Sequence, residues 1–296
     1  MSNVTNRPTG ETPKRRTGLI VGIAAAVVVV VAAAITIPLA INASSGSNPA
    51  AEPSTPAGES AAPAADYTLV TPGILTVATE GTYKPFSYHD ASGALVGYDV
   101  EVAQAVGEKL GLEVEFAETE WAAIFAGLEG KRFDVIANQV SINDEREAKY
   151  SLSDPYTISP GALIVKTDNT TITGFDDLEG KKAAQSATSN WYELATSYGA
   201  TVEDVEGWNE SITLLRDNRI DFTLNDKLTF LDFVATEGAD DIKIVAETDD
   251  PSRSAFALTK ANAKLTDDIN AALADLAADG TLAKIGEKYF GEDVSK

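Results

Sequence analysis

Apolar residues fall into two distinct patterns along this 296-residue chain. The first is one unbroken block. Residues 19–41 are almost wholly apolar, dominated by Ala and Val, and a run of that length suffices to cross a bilayer core as a helix. The second pattern begins at Tyr67, where short apolar runs alternate with stretches of helical period. Strands are predicted at 74–79, 112–116, 134–137, 182–185, 220–224, 242–245 and 256–258. Helices are predicted at 98–110, 121–128, 190–198, 210–218, 226–236, 262–278 and 282–289. In the helix at 98–110, Val100, Val102, Ala103, Val106 and Leu110 share one face. Such alternation predicts an α/β fold built in layers, with mainly parallel sheets. Ligands of such sheets sit at the carboxyl ends of the strands. No internal repeat is present.

The apolar block changes where the rest of the chain resides. Residues 1–18 form a short polar tail ending in Lys14-Arg15-Arg16. Basic residues before an apolar span place the amino terminus in the cytoplasm and the remainder outside. The block therefore reads as an uncleaved, single-pass signal anchor in the cell membrane. A cleaved secretory signal is the alternative, although its apolar core is usually about 7–15 residues, and the sequence Ile41-Asn42-Ala43 is only a fair cleavage match. Both readings export the rest of the protein. Residues 42–66, rich in Ala, Pro, Ser, Gly and Glu, read as a disordered, flexible linker. The tail is too short to be a catalytic domain.

Composition removes several chemistries. The chain has no cysteine, so disulfides, zinc–thiolate sites, thiol nucleophiles and a lipid-attachment cysteine are all excluded. Its single histidine, His89, stands beside Asp90 in a polar turn, and serine–histidine catalysis would depend on it alone. The net charge is −22, and the first 43 residues carry +3, which leaves −25 on the remainder. Such a surface repels nucleic acid and anionic lipid. The stretch from Gly174 to Lys182 superficially looks like a phosphate loop, but its glycine spacing is one residue too long and Lys182 stands where Ser or Thr should hold magnesium. No dinucleotide-binding glycine pattern, calcium loop or histidine metal pair occurs. The chain is expected to need neither cofactor nor metal.

One segment carries positive chemistry. Asn138-Gln139-Val140-Ser141-Ile142-Asn143-Asp144-Glu145-Arg146 follows the predicted strand at 134–137. A strand end, a polar turn and an arginine one helical turn later can hold a small carboxylate, through backbone N–H groups and a planar two-pronged guanidinium. Taken alone, Arg146 could equally be a solvated helix charge.

The wider sequence settles which reading to follow. Residues 73–88 (Gly-Ile-Leu-Thr-Val-Ala-Thr-Glu-Gly-Thr-Tyr-Lys-Pro-Phe-Ser-Tyr), Gly97-Tyr98-Asp99-Val100-Glu101-Val102-Ala103, the 138–146 segment, Asp154-Pro155-Tyr156, Asp177-Leu178-Glu179-Gly180-Lys181, Asn218-Arg219-Ile220-Asp221 and the ending Asp279-Gly280-Thr281-Leu282 with Lys288-Tyr289-Phe290-Gly291 stand in one order. In these segments the chain resembles the polar amino-acid-binding proteins of bacterial ABC importers, extracellular solute-binding family 3. The resemblance implies a two-lobed periplasmic-binding-protein fold of type II-like form, with two hinge strands. Lobe 1 would combine 67–160 with 252–296, and lobe 2 would be 161–251. It implies a monomer that delivers an amino acid to a membrane permease and binds no nucleic acid.

The same resemblance implies roles at named positions. Arg146 would grip the ligand's α-carboxylate, helped by backbone N–H groups of Ser141 and Thr188. Asp226 would take the α-ammonium; by itself it reads as a helix N-cap. Tyr83 and Trp121 would flank the ligand side chain. Asn138 and Gln139, where many relatives have small residues, look like the cystine-binding branch, as do Tyr156-Thr157-Ile158-Ser159 and Asn190-Trp191-Tyr192. Two side-chain amides there would suit a second zwitterionic end, so L-cystine is the expected ligand. Glu80, where relatives often have aspartate, would polarise or gate the ligand. The competing class is an enzyme of this fold, a dehydratase or a murein-cleaving type using Glu80. A third possibility is a ligand-loaded module that feeds a receptor.

Overall fold

The computed structural model describes residues 67–296; the predicted tail 1–18, membrane segment 19–41 and linker 42–66 lie outside the described residues. Among the described residues no helix is long and apolar enough to cross a membrane. The architecture is two-lobed and α/β. The larger sheet runs in the order Glu113–Glu118, Ile74–Thr79, Val135–Ser141, Ser252–Thr259, Tyr150–Leu152, with Thr157–Ser159 also paired to Ser252–Thr259. The first three strands are parallel. Ser252–Thr259 is antiparallel to every strand it touches.

The second lobe centres on three antiparallel strands, with Gly161–Lys166 between Thr223–Asp226 and Ile242–Glu247. A parallel pair, Lys182–Gln185 with Thr201–Asp204, joins it through a bridge from Ala183 to Phe222. The expectation of mainly parallel sheets is therefore corrected to mixed sheets. The cause is connectivity. The chain leaves the first lobe after Ser159 and returns at Ser252, so the returning strand enters from the opposite end and runs against its neighbours. The two crossings lie side by side: Gly161 N–H donates to Thr248 Oγ1 at 2.9 Å, and Thr248 N–H donates to the Gly161 carbonyl at 2.9 Å. Gly161 is required here because a Cβ would stand 2.5 Å from the Trp191 ring.

Apolar periodicity built the helices much as expected. Tyr98–Leu110 buries Val102, Ala103 and Val106 against Leu258, Ile269 and Leu273. Trp121–Glu129 turns Trp121, Ile124 and Leu128 onto Phe133 and Ile136. In the second lobe Trp208–Arg216 packs Trp208, Ile212 and Leu215 on Ile164. It begins two residues earlier than the polarity of Asn209 suggests, because Trp208 itself is buried. The expected strand at 220–224 is shifted to Thr223–Asp226. Asn218 adopts a left-handed turn at φ 57°, and the bend continues through the residues after it until the strand begins. Leu228, at the start of the second-lobe helix Lys227–Glu237, packs into the first-lobe core, so the lobes are in contact.

Gly97 fixes the start of the helix at 98–110. Its φ is 139°, and a Cβ would stand 2.1 Å from the Phe86 carbonyl oxygen, which already accepts the Asp99 N–H at 3.0 Å. Gly97→Ala is expected to destabilise the protein by at least about 1–3 kcal/mol, the usual scale of imposed backbone strain. Urea unfolding would read this as a lower midpoint with an unchanged slope; an unchanged midpoint would contradict the packing described.

Candidate functional site

A cavity of about 350 Å³ opens between the lobes, and all three tryptophans of the chain, Trp121, Trp191 and Trp208, line it. The strands aim at it as such sheets should: Glu80 follows Ile74–Thr79 and Gln185 ends Lys182–Gln185. Of the residues expected at the site, Glu80, Tyr83, Trp121, Asn138 and Gln139 line the cavity. Ser141, Arg146, Thr188 and Asp226 are not among its lining residues. Arg146 stands behind Trp121, with its guanidinium carbon 5.4 Å from the Trp121 ring centre and 5.5 Å from that of Phe125.

Arg146 projects from the short helix Asp144–Lys149, whose N-cap, Asn143, accepts the Arg146 N–H at 2.9 Å. Its Nη1 donates to the Ser141 carbonyl at 2.8 Å, and its Nη2 reaches the Thr188 carbonyl of the other lobe at 3.3 Å. The resemblance predicted ligand-binding N–H groups at Ser141 and Thr188; here their carbonyls receive the guanidinium. Only 6 % of Arg146 is exposed, and it forms no ion pair among the described residues. Burial lowers its pKa to about 10, against the raising charges of Glu193 and Glu145. It is a buried cation held by neutral acceptors and two aromatic faces.

The two amides are committed more deeply than the resemblance suggested. Asn138 Nδ2 donates to Glu80 Oε2 at 2.7 Å, while its Oδ1 accepts the Glu80 N–H at 2.9 Å and the Thr79 hydroxyl at 3.0 Å. Gln139 has a left-handed backbone, φ 50°. Asp99 holds it there: Oδ2 accepts the Gln139 N–H at 2.9 Å, and Oδ1 accepts Nε2 at 2.6 Å. Gln139 Oε1 is buried without a partner. Asn138 thus orients Glu80, and Gln139 keeps only one free acceptor. Burial pushes the Glu80 carboxyl up to about 7, although Asn138 and the Trp121 N–H oppose the rise.

Asp226 ends its strand and caps the next helix, since Oδ1 accepts the Leu228 N–H at 2.9 Å and the Ser159 hydroxyl at 2.6 Å. Tyr83 joins the lobes. Its hydroxyl donates to Asn225 Oδ1 at 2.8 Å and lies 3.2 Å from Thr229 Oγ1. Trp191, Trp208, Gln185, Asn225 and Glu206 line the cavity but were not picked as site residues from sequence. The available signal was position. Gln185 and Asn225 stand at strand ends and Glu206 just after one, where the sheet rule places ligands, whereas Trp191 and Trp208 stand in the first turns of the helices that follow.

Residues 75–292 match the family model of bacterial extracellular solute-binding proteins, family 3. The L-cystine-binding protein TcyA of Bacillus subtilis (strain 168) is 49% identical over 225 residues, covering 76% of this chain and 84% of the relative. The crystal structure of the L-cystine solute receptor of Neisseria gonorrhoeae, in the unliganded open conformation, is 45% identical with a TM-score of 0.54, covering 76% of this chain and 95% of that one. An ancestral arginine-binding protein bound to glutamine is 34% identical, yet has a TM-score of 0.71, covering 75% of this chain and all of that one. The bridges of Tyr83 and Arg146 to the second lobe are those of a closed arrangement.

Two buried carboxylates, Asp99 and Asp226, and the half-buried Glu80 give the site a pH signature. Burial raises Glu80 and Asp99 to about 7 and Asp226 to about 6, all above ordinary carboxylate values. Between pH of about 4.5 and 7 the folded state therefore binds more protons than the unfolded chain, and stability falls as pH rises. Asp279, held down to about 2 by the Lys109 hydrogen bond, acts only below that window. Thermal unfolding of the ligand-free protein should show a midpoint that declines as pH rises from about 4.5 to about 7. A midpoint that is level or climbs across the window would contradict the upward push that burial gives these carboxyls.

Proposed function

The chain belongs to family 3 of the bacterial extracellular solute-binding proteins, and from that premise we propose that its cleft captures L-cystine and delivers it to the membrane permease of an ABC importer. It is a binding protein and not an enzyme, as are the relatives it matches. The single observation that carries the ligand reading is Arg146, a buried cation that lacks an anion. A ligand carboxylate supplies one. Two of the five guanidinium donors are taken by carbonyls, and the remainder suit a two-oxygen acceptor.

The cavity supports cystine among amino acids. Its volume of about 350 Å³ is at the small end for small-molecule sites. Three indole faces offer polarisable walls to a disulfide, and sulfur–aromatic contacts are favourable. TcyA and the gonococcal receptor, both named for L-cystine, support the same choice. Lobe 1, residues 67–160 plus 252–296, closes on lobe 2, residues 161–251, about the paired crossings at Gly161 and Thr248. A ligand touching both lobes favours the closed state by its differential affinity. The protein works as a monomer, held at the membrane by residues 19–41 with its binding lobes outside. Glu80 serves as a ligand-facing carboxylate fixed by Asn138, not as a catalytic acid.

Calorimetry of the full chain, extracted from the membrane fraction, tests both parts. Recovery from the medium with an amino terminus near residue 44 would show a cleaved signal instead. Arg146→Ala should weaken L-cystine binding by about 2–5 kcal/mol, the usual loss when one partner of a desolvated charge pair is removed. An unaltered dissociation constant would overturn the anchoring role.

A further inference from the structure

The walls of the cavity carry an unbalanced charge. Glu80 and Glu120 reach it from the first lobe, Glu206 and Glu210 from the second, and no lysine, arginine or histidine lines it. Two of these carboxylates line the cavity from different lobes. Glu80 is mostly buried and locked by Asn138, and the charge of Glu206 on the opposite wall acts on it. Glu206 is exposed at the mouth, with its backbone pinned: its carbonyl accepts the Ser186 hydroxyl at 2.8 Å, and its N–H donates to Glu210 Oε2 at 3.2 Å. Its own carboxylate makes no hydrogen bond or ion pair among the described residues. Closing the lobes thus brings two like charges toward each other, and their repulsion grows as the separation shrinks.

The uncharged groups add an independent sign of a ligand. Gln139 Oε1 and Trp121 Nε1 are both buried without a partner, and both residues line the cavity. The orientation of the Gln139 amide is fixed, because its Nε2 must face Asp99. Its free atom is therefore an acceptor. With Glu80 and Glu206 it adds a third acceptor to a lining that carries four glutamates and no basic side chain. A hydrogen-bond donor carrying positive charge fits that set, and a second carboxylate does not.

We propose that Glu206, facing Glu80 across the cleft, holds an ammonium group at the far end of the ligand from the carboxylate anchored at Arg146. The protein then selects α-amino acids that carry a second, distal cation. This rests on the anchoring reading above and deepens it. In cystine the distal half is itself an amino acid, and its ammonium is the part recognised. The distal carboxylate points to the open mouth. Neutral and acidic amino acids leave the two glutamates facing each other and bind weakly.

Matched ligands separate the groups. Calorimetry on the full chain would compare L-cystine with two mixed disulfides of L-cysteine. The cysteamine disulfide keeps the distal ammonium and lacks the distal carboxylate. The 3-mercaptopropionate disulfide does the reverse. L-lysine against L-norleucine repeats the ammonium comparison without sulfur. The expected result is a loss of roughly 30-fold or more when the distal ammonium is removed, and less than about tenfold when the distal carboxylate is removed. Glu206→Gln, at an exposed side chain with no partner to lose, should erase most of the preference between members of each pair. Equal affinity for the two mixed disulfides, or a full preference retained in the Glu206→Gln protein, overturns the proposal. If cystine fails to bind while lysine is preferred over norleucine, the cystine reading falls and the distal-cation reading stands.

Discussion

A positive charge buried without an anion is the constraint around which this site is built. Arg146 is almost wholly removed from water, and its guanidinium meets two backbone carbonyls and two aromatic rings. Removing an ion from water is expensive, and neutral acceptors recover only part of that expense. A carboxylate entering between the lobes would recover more. Because one acceptor, Thr188, belongs to the second lobe, the group that needs an anion is also a group that feels closure. On the proposed reading, a carboxylate bound there would join binding and conformational change at one side chain. Tyr83 adds a second joint, since its hydroxyl meets Asn225 and Thr229 of the opposite lobe.

Around that charge the first lobe is organised by buried carboxylates. Asp99 sits in the first turn of Tyr98–Leu110, where the helix N-terminus favours an acid. It fixes the left-handed backbone of Gln139 with two hydrogen bonds. Next in sequence, Asn138 clamps Glu80. One helix turn thus sets one residue, its neighbour sets another, and both end at the cavity wall. The indoles complete the wall with apolar area, while the glutamates set its sign. Anchor and wall have opposite charge, as a zwitterionic ligand requires.

Much of this was legible in the sequence, and the exceptions have physical causes. Helical period marked Tyr98–Leu110 at both ends, because its apolar stripe is uninterrupted and glycines flank it. The run Gly161–Lys166 was missed, since five buried residues in a row show no alternation. Strand direction was misjudged because it depends on where the chain returns, which local pattern does not contain. The two-lobed α/β family fold was read correctly from ordered segments, and the family match agrees. At the site, residue identities were legible but their partners were not. Asn138 and Gln139 looked like free amides, whereas Glu80 and Asp99 occupy most of their hydrogen-bonding capacity. Asp226 looked available to a ligand, whereas Ser159 and the helix N-terminus share its Oδ1. Trp191 stood only within a segment that resembles the cystine-binding branch, and Trp208 had no local signal, because a tryptophan lining a cavity and one filling a core have the same local pattern.

The account stands or falls on what the ligand does at Arg146. A crystal structure of the protein with L-cystine would answer that directly. The account predicts a cystine carboxylate within hydrogen-bond distance of the Arg146 guanidinium, with Trp121 against the ligand and the lobes closed. Cystine seated in the cavity with Arg146 touching only the Ser141 and Thr188 carbonyls would contradict it.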